Sequence, residues 1–368
     1  MKNSTNKKYI KLLKPHFPAG IGKRIEELFK KGEITEGKYS EKFEKMIGNY
    51  LGNKNCALVN SGTSALTLAY RLLNLKKNDE VITTPFTCMA TNEPLYNDKI
   101  KFKFCDIDPN TGNASIESIK KLINAKTKAI VVVHWCGLPF DVDKLKKVIG
   151  KKKIKIIEDA AHALGAKLNG KKIGNHGDFI CFSFQAIKHI TTGDGGMLVC
   201  KKKSHAEKAK LLRWFGLNRK VKGNKWLQDI KVSGYKFHLN NIASRIGCEQ
   251  MKYINKIISK HQKNGIFFDK KINNKKIKII KKNKNLKSAY WVYSLLVDDK
   301  EKFRKHMEKH KIQCDEVSFR NDKYTIFKKF RIKLSGTDYF DKHMINIPVG
   351  WWLTLNDVKK IVRIANNY

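Results

Sequence analysis

Residues 154–166 read IKIIEDAAHALGA. Three isoleucines within four positions, entered from the lysine run 151–153, predict a short buried strand. Asp159 closes that strand, and a run of small residues follows it. A carboxylate there stands where an open α/β sheet places its ligand, outside the carboxyl end of a strand. Outward from this stretch, similar apolar runs recur as CALVN (56–60), EVITT (80–84), KFKFCDI (101–107), KAIVVVHW (128–135), DFICFSF (178–184) and GMLVC (196–200). With the first they make seven candidate strands. SALTLAYRLLNL follows the run at 56–60 and DVDKLKKVIG follows the run at 128–135, both with helical spacing. Strands alternating with helices predict an α/β fold, a mostly parallel seven-stranded sheet covered on both faces.

Beyond about residue 240 the pattern changes. A helix-like stretch, NNIASRIGCEQMKYINKIISKHQKNGIFFDKKI, leads into AYWVYSLLV (289–297) and then a helix-like KEKFRKHMEKHK. This predicts a smaller C-terminal α+β domain, with a large domain over 1–245 and a small one over 246–368.

The composition narrows the function classes. The chain has 368 residues, 41% of them hydrophobic and 30% charged, enough to build compact cores under a solvated surface. The opening MKNSTNKKYIKLLKPHF has no apolar core with a small-residue cleavage site, so it does not read as a secretory signal. The longest apolar run, AIVVVHWCGLPF (129–140), contains a histidine and is too short to span a bilayer. No membrane insertion and a cytoplasmic location are expected. Eight cysteines scattered singly, with no C-x-x-C pair for zinc or redox chemistry, fit a reducing compartment and no metal site. The formal net charge of +43 invites a nucleic-acid reading. Its form argues otherwise: only nine of the 76 basic residues are arginine, and the lysine runs carry no interleaved aromatics. A lysine-biased solvated surface is the expected reading, with a non-catalytic basic nucleic-acid-binding or regulatory protein as the rival from another class.

FSFQAIKHITTGDGG (182–196) holds one lysine, Lys188, among apolar, small and glycine residues. Such a lysine either snorkels to water or has a chemical task, since apolar surroundings strip its proton and make it a nucleophile. After the first predicted strand comes SGTSALTLAY, where Ser61, Gly62, Thr63 and Ser64 either simply cap a helix or offer its free N–H groups to a phosphate. Asp159 is itself open to a capping role, and His134 and His162 to being satisfied buried histidines. Taken together, a lysine, a carboxylate and a phosphate cradle at one sheet edge are what pyridoxal 5'-phosphate requires. The amine condenses with the cofactor aldehyde and moves protons, and the carboxylate keeps the pyridine nitrogen protonated.

NSGTSALTLAYRLL, VITTPFTCMATNEPL, IIEDAAHALGA and FSFQAIKHITTGDGGMLV, in this order, resemble the DegT/DnrJ/EryC1/StrS family of PLP-dependent sugar aminotransferases from about residue 30 to the C-terminus. The resemblance implies the fold-type-I aminotransferase architecture and a homodimer with active sites at the subunit interface. It implies amino transfer, from glutamate as the usual donor, to a nucleotide-linked keto sugar, most often at C4, for surface polysaccharide or related sugars. A small phosphorylated ketone is the alternative acceptor. Lys188 matches the lysine that holds the cofactor and Asp159 the partner of the pyridine nitrogen. Gly62, Thr63 and Ser183 match phosphate-binding positions. His162 falls where the family often has glutamine near the phenolic oxygen, and Cys88 where an aromatic commonly stacks on the ring. Lys236 and His238, in GYKFHLN, fall in the stretch that reaches the neighbouring subunit's phosphate. Family members that dehydrate sugars have histidine in place of the lysine, so Lys188 favours amino transfer.

Overall fold

The computed structural model describes residues 9–219, 221, 223–224 and 227–368; residues 1–8 of the opening stretch lie outside the described residues. All seven predicted strands form: β1 (Cys56–Val59), β2 (Glu80–Thr83), β3 (Lys101–Phe104), β4 (Thr127–Val133), β5 (Lys155–Asp159), β6 (Phe179–Ser183) and β7 (Gly196–Cys200). They make one sheet in the order β1-β7-β6-β5-β4-β2-β3. β2, β3, β4, β5 and β6 pair in parallel, while β7 runs antiparallel to both its neighbours.

Near-continuous apolar strands suit a sheet buried on both faces. Along β4, Ile130 and Val132 enter one core while Ala129 and Val131 enter the other. The first core is closed by the helix Lys38–Leu51, through Phe43 and Ile47, and by the helix Val142–Ile149. The second is closed by the helix Gly62–Leu72, through Leu66, Leu68 and Tyr70.

A second sheet of β8 (Ile277–Ile279), β9 (Tyr293–Val297) and β10 (Met344–Ile347) is antiparallel with β9 in the middle. Its core takes in Phe303 and Met307 from the helix Lys300–Lys309, and also Ile10, which bridges to Ile312. The helical stretch foreseen over 240–272 is two helices, Asn241–Gln250 and Ile254–Lys271, joined by a tight turn at Met251–Tyr253. The predicted strand 289–297 begins only at Tyr293. Upstream of it the backbone N–H groups of Ala289 and Trp291 donate to Gly137 O (2.9 Å) and Cys136 O (3.0 Å), and Tyr290 turns the chain at φ 49°. Among the described residues no helix is long and apolar enough to cross a membrane.

This topology gathers chemistry at one sheet edge. β5 ends in Asp159 and β6 in Ser183; antiparallel β7 starts there at Gly196, which pairs with both Ser183 and Val59. Residues 184–195, between β6 and β7, carry Lys188 across the edge.

Candidate active site

A cavity of about 330 Å³ opens at this edge, a size typical of small-molecule sites. Of the residues singled out in the sequence, Gly62, Thr63, Cys88, Asp159, His162, Ser183 and Lys188 all line it. Lys236 and His238 do not. Lys236 is exposed, and His238 packs edge-on against Trp214 at 4.0 Å. Burial, with the nearby charges of Arg219, Arg213 and Lys236, brings the His238 imidazole down to about 4.

One wall is the start of the helix Gly62–Leu72. Ser61 caps it, its hydroxyl accepting from Ser64 N at 3.0 Å. The cap leaves the N–H groups of Gly62 and Thr63 without an acceptor within the helix, and both residues line the cavity. Backbone approaches here are close. A Cβ on Gly62 would stand 3.0 Å from Ser183 Cβ, and one on Gly196 would stand 2.3 Å from Ser61 O. Glycine at these positions lets β6, β7 and the helix start converge on one small concavity.

Opposite it, Asp159 is 5% exposed. One carboxylate oxygen accepts from the Thr91 hydroxyl at 2.6 Å and the other from Ala161 N at 3.1 Å. Among the described residues no cation pairs with it within 4.0 Å. Its charge lies near enough to the Lys188 ammonium to favour it, without a direct ion pair. Alternation along β5 sends Glu158 to the other side, where it meets His134 at 2.8 Å with both side chains fully buried. His134 Nδ1 accepts from Phe140 N, so its Nε2–H donates to Glu158. His134 is therefore a satisfied buried histidine.

Lys188 is half-buried, and burial brings its ammonium down to about 8, with Cys88 and Asp159 pulling the other way. Burial also holds the His162 imidazole well below its usual range, helped by the charges of Lys188 and His189. His162 is thus a neutral hydrogen-bonding group. Cys88 is an exposed thiol just before the helix Met89–Asn97, with no aromatic ring of its own to offer a ligand.

Two contributors to the site carry no role in the sequence reading: Trp291, on the cavity wall, and Thr91, which bonds Asp159. Thr91, in the helix Met89–Asn97, follows Thr87 of the preceding bend by four residues, and the two hydroxyls lie 2.7 Å apart. The spacing is visible in the sequence, whereas the carboxylate it faces is 68 positions away. Trp291 reads as a strand residue, and nothing local to it points to Lys188.

The sequence profile of the DegT/DnrJ/EryC1/StrS aminotransferase family matches residues 19–365. The chain belongs to that family. Among curated relatives, this aminotransferase is 32% identical over 337 residues to the UDP-4-amino-4,6-dideoxy-N-acetyl-beta-L-altrosamine transaminase of Campylobacter jejuni subsp. jejuni serotype O:23/36, covering 89% of the chain and 88% of the relative. It is 27% identical over 369 aligned positions to the GDP-perosamine synthase of Vibrio cholerae, covering 98% and 99%. The aminotransferase also superposes on the crystal structure of AtS13 from Actinomadura melliaura with a TM-score of 0.95 at 33% identity, over 99% of this chain and all of that one. The fold foreseen from the alternating strands is thereby that of its structural relatives, with the mostly parallel seven-stranded sheet in place.

Proposed function

We propose that this aminotransferase holds pyridoxal 5'-phosphate in the cavity beside Lys188 and transfers an amino group to the keto carbon of a nucleotide-linked sugar. The observation that carries the reading is Asp159: a buried carboxylate, oriented by Thr91 and Ala161 and with no direct ion pair, on the wall of the cavity that Lys188 also lines. The residues present fit the cofactor. A protonated pyridine nitrogen would give Asp159 the direct ion pair it does not make, and the Gly62 and Thr63 N–H groups with the Ser183 hydroxyl are a phosphate cradle at a helix start. His162, a neutral imidazole on the cavity wall, would hydrogen-bond the phenolic oxygen. When bound, the cofactor supplies an aldehyde and an electron-withdrawing ring.

The chain's own groups do the rest. Lys188 Nζ, with its ammonium at about 8, holds an appreciable fraction of free amine near neutrality, which serves both as nucleophile and as the base that takes and returns the proton at the substrate carbon. The donor is an amino acid, glutamate being the usual one for the family. Both curated relatives are named for nucleotide-linked sugars, one UDP-linked and one carrying GDP in its name, which supports that acceptor class over a small phosphorylated ketone and over a nucleic-acid binder. Surface polysaccharide or related sugar biosynthesis is the setting this reading supports. A homodimer fits as well, since Phe215, Leu227 and Ile230 expose apolar surface in the stretch that leads to Lys236 and His238.

The test is to load the protein with cofactor, convert it with glutamate, and add a panel of UDP- and GDP-linked 4-keto sugars beside phosphorylated ketones. Return of the starting cofactor spectrum with a nucleotide-linked keto sugar is the expected result. Return only with a phosphorylated ketone would reassign the acceptor, and no spectral change with glutamate would remove the reading.

A further inference from the structure

Lys188 does not reach the cavity unsupported. The residues on either side of it are both tied to one distant segment. On one side, the indole Nε1–H of Trp291 donates to Ile187 O at 2.7 Å. On the other, His189 meets Ala289 O at 3.1 Å, and because a carbonyl only accepts, His189 Nε2 carries the proton. The segment 289–291 is itself fixed. Ala289 and Trp291 donate to the backbone at Gly137 and Cys136, and His261 Nδ1 donates to Tyr290 O at 2.8 Å. Lys188 is thus bracketed by two hydrogen bonds from a segment about 100 residues away.

The same indole meets the lysine's reacting end. Lys188 Nζ lies over the Trp291 ring, 4.2 Å from its centroid, and the His162 imidazole stacks on that indole at 3.7 Å with 10° between the planes. Trp291 is 2% exposed and forms part of the cavity wall. The face of an indole attracts a cation, and it does so more strongly than phenylalanine. One side chain therefore contacts the backbone before Lys188, the nitrogen at the end of Lys188, and the histidine beside it.

We infer that Trp291 is a positioning residue for Lys188: its N–H fixes the path of the loop, and its ring fixes where the ammonium rests and how firmly the proton is held. The catalytic significance of this rests on the proposed role of Lys188, whereas the physical contact does not. Two opposing effects set the lysine's proton affinity. Burial favours loss of the proton, and the ring favours keeping it. The other ionisable groups around the amine are Asp159 on β5, the thiols of Cys88 and Cys136, and the histidines His162 and His189. None of these groups is removed by a substitution at Trp291, and His162, which loses its stacking partner, is neutral, so a change in Lys188 reports on the ring.

The experiment reads Lys188 in the cofactor-free protein by competitive acetylation across pH 6–11 with peptide mass spectrometry, in the parent, Trp291→Met and Trp291→Phe. Methionine keeps the site apolar without a π face. The expected result is that the half-labelling pH of Lys188 falls by about half a unit in Trp291→Met and by less in Trp291→Phe, as loss of a cation–π contact requires. An unchanged or raised value in Trp291→Met overturns the inference and leaves Trp291 as packing. Should the methionine variant lack a cooperative melt, Trp291→Phe decides. Without the indole N–H it should lower the single-turnover rate with glutamate about tenfold at unchanged KM, and a parental rate would overturn the positioning role. Failure of the underlying function would look different, since Lys188→Ala would then leave turnover intact whatever the labelling shows.

Discussion

Asp159 and Lys188 make opposite demands on the same cavity, and each can be tested alone. If Asp159 pairs with a protonated pyridine nitrogen, Asp159→Asn keeps the bond from Ala161 N through its oxygen, and its amide donates to Thr91 Oγ1 in place of accepting from it, but the charge that holds the proton is gone. A loss of about 4 kcal/mol would slow the glutamate half-reaction roughly a thousandfold. If it only caps the turn at Ala161, asparagine replaces it almost silently. Single-turnover rates alongside thermal melts separate the two. Lys188 is a stability cost that function retains. Its folded-state ammonium sits at about 8, below the unfolded value of 10.5, so between those pH values the unfolded chain binds more protons and stability rises with pH. Below pH 8 the buried charge opposes folding in full. Lys188→Met in the cofactor-free protein should therefore melt higher than the parent at pH 7, and the gain should shrink as pH climbs from 8 toward 10.5. A gain that does not change with pH would place its origin in packing instead.

At the scale of elements, the site depends on how closely three of them approach. An alanine Cβ at 196 would meet backbone, Ser61 O at 2.3 Å and Gly62 N at 2.7 Å, neither of which can swing aside. Gly193 differs: its φ of +85° strains any other residue, but a Cβ there meets nothing within 4 Å. Both Gly193→Ala and Gly196→Ala should lower stability, by about 1 and about 1–3 kcal/mol respectively, read in melts. Only Gly196→Ala should lose cofactor on gel filtration, because only it displaces the helix start. Equal retention by the two would mean that the convergence at Ser61 is not needed for phosphate binding. These elements also show what a sequence reveals. The seven strands were legible because each holds a short apolar run, Asp159 and Ser183 because they close two of those runs, and Lys188 because it is the one lysine of an apolar, glycine-rich stretch. Trp291 and Thr91 were not, because their meaning comes from partners fixed only by tertiary packing. The strand foreseen at 289–297 failed at its start for the same reason: its N–H groups are taken by Cys136 and Gly137 rather than by a neighbouring strand.

For the whole molecule, the excess of 76 basic over 33 acidic residues surrounds a site whose chemistry does not need it. Any nucleic-acid binding it produces should be electrostatic alone. Filter binding to random DNA should fall steeply with salt, with no preference between sequences, and retention that persists at about 0.5 M salt would revive the nucleic-acid reading. The thiols are distributed in the opposite way to the charge. Seven of the eight are buried, and burial raises each of those seven above the usual thiol range; Cys88 alone is exposed, on the wall of the cavity. Neutral-pH alkylation should therefore consume one equivalent of maleimide in the folded protein, and Cys88→Ser should consume none. That gives the enzyme a built-in reporter: an environment-sensitive fluorophore on Cys88 would signal occupancy of the site without an engineered handle, and slower alkylation of the native protein after cofactor loading would time the filling of the cavity.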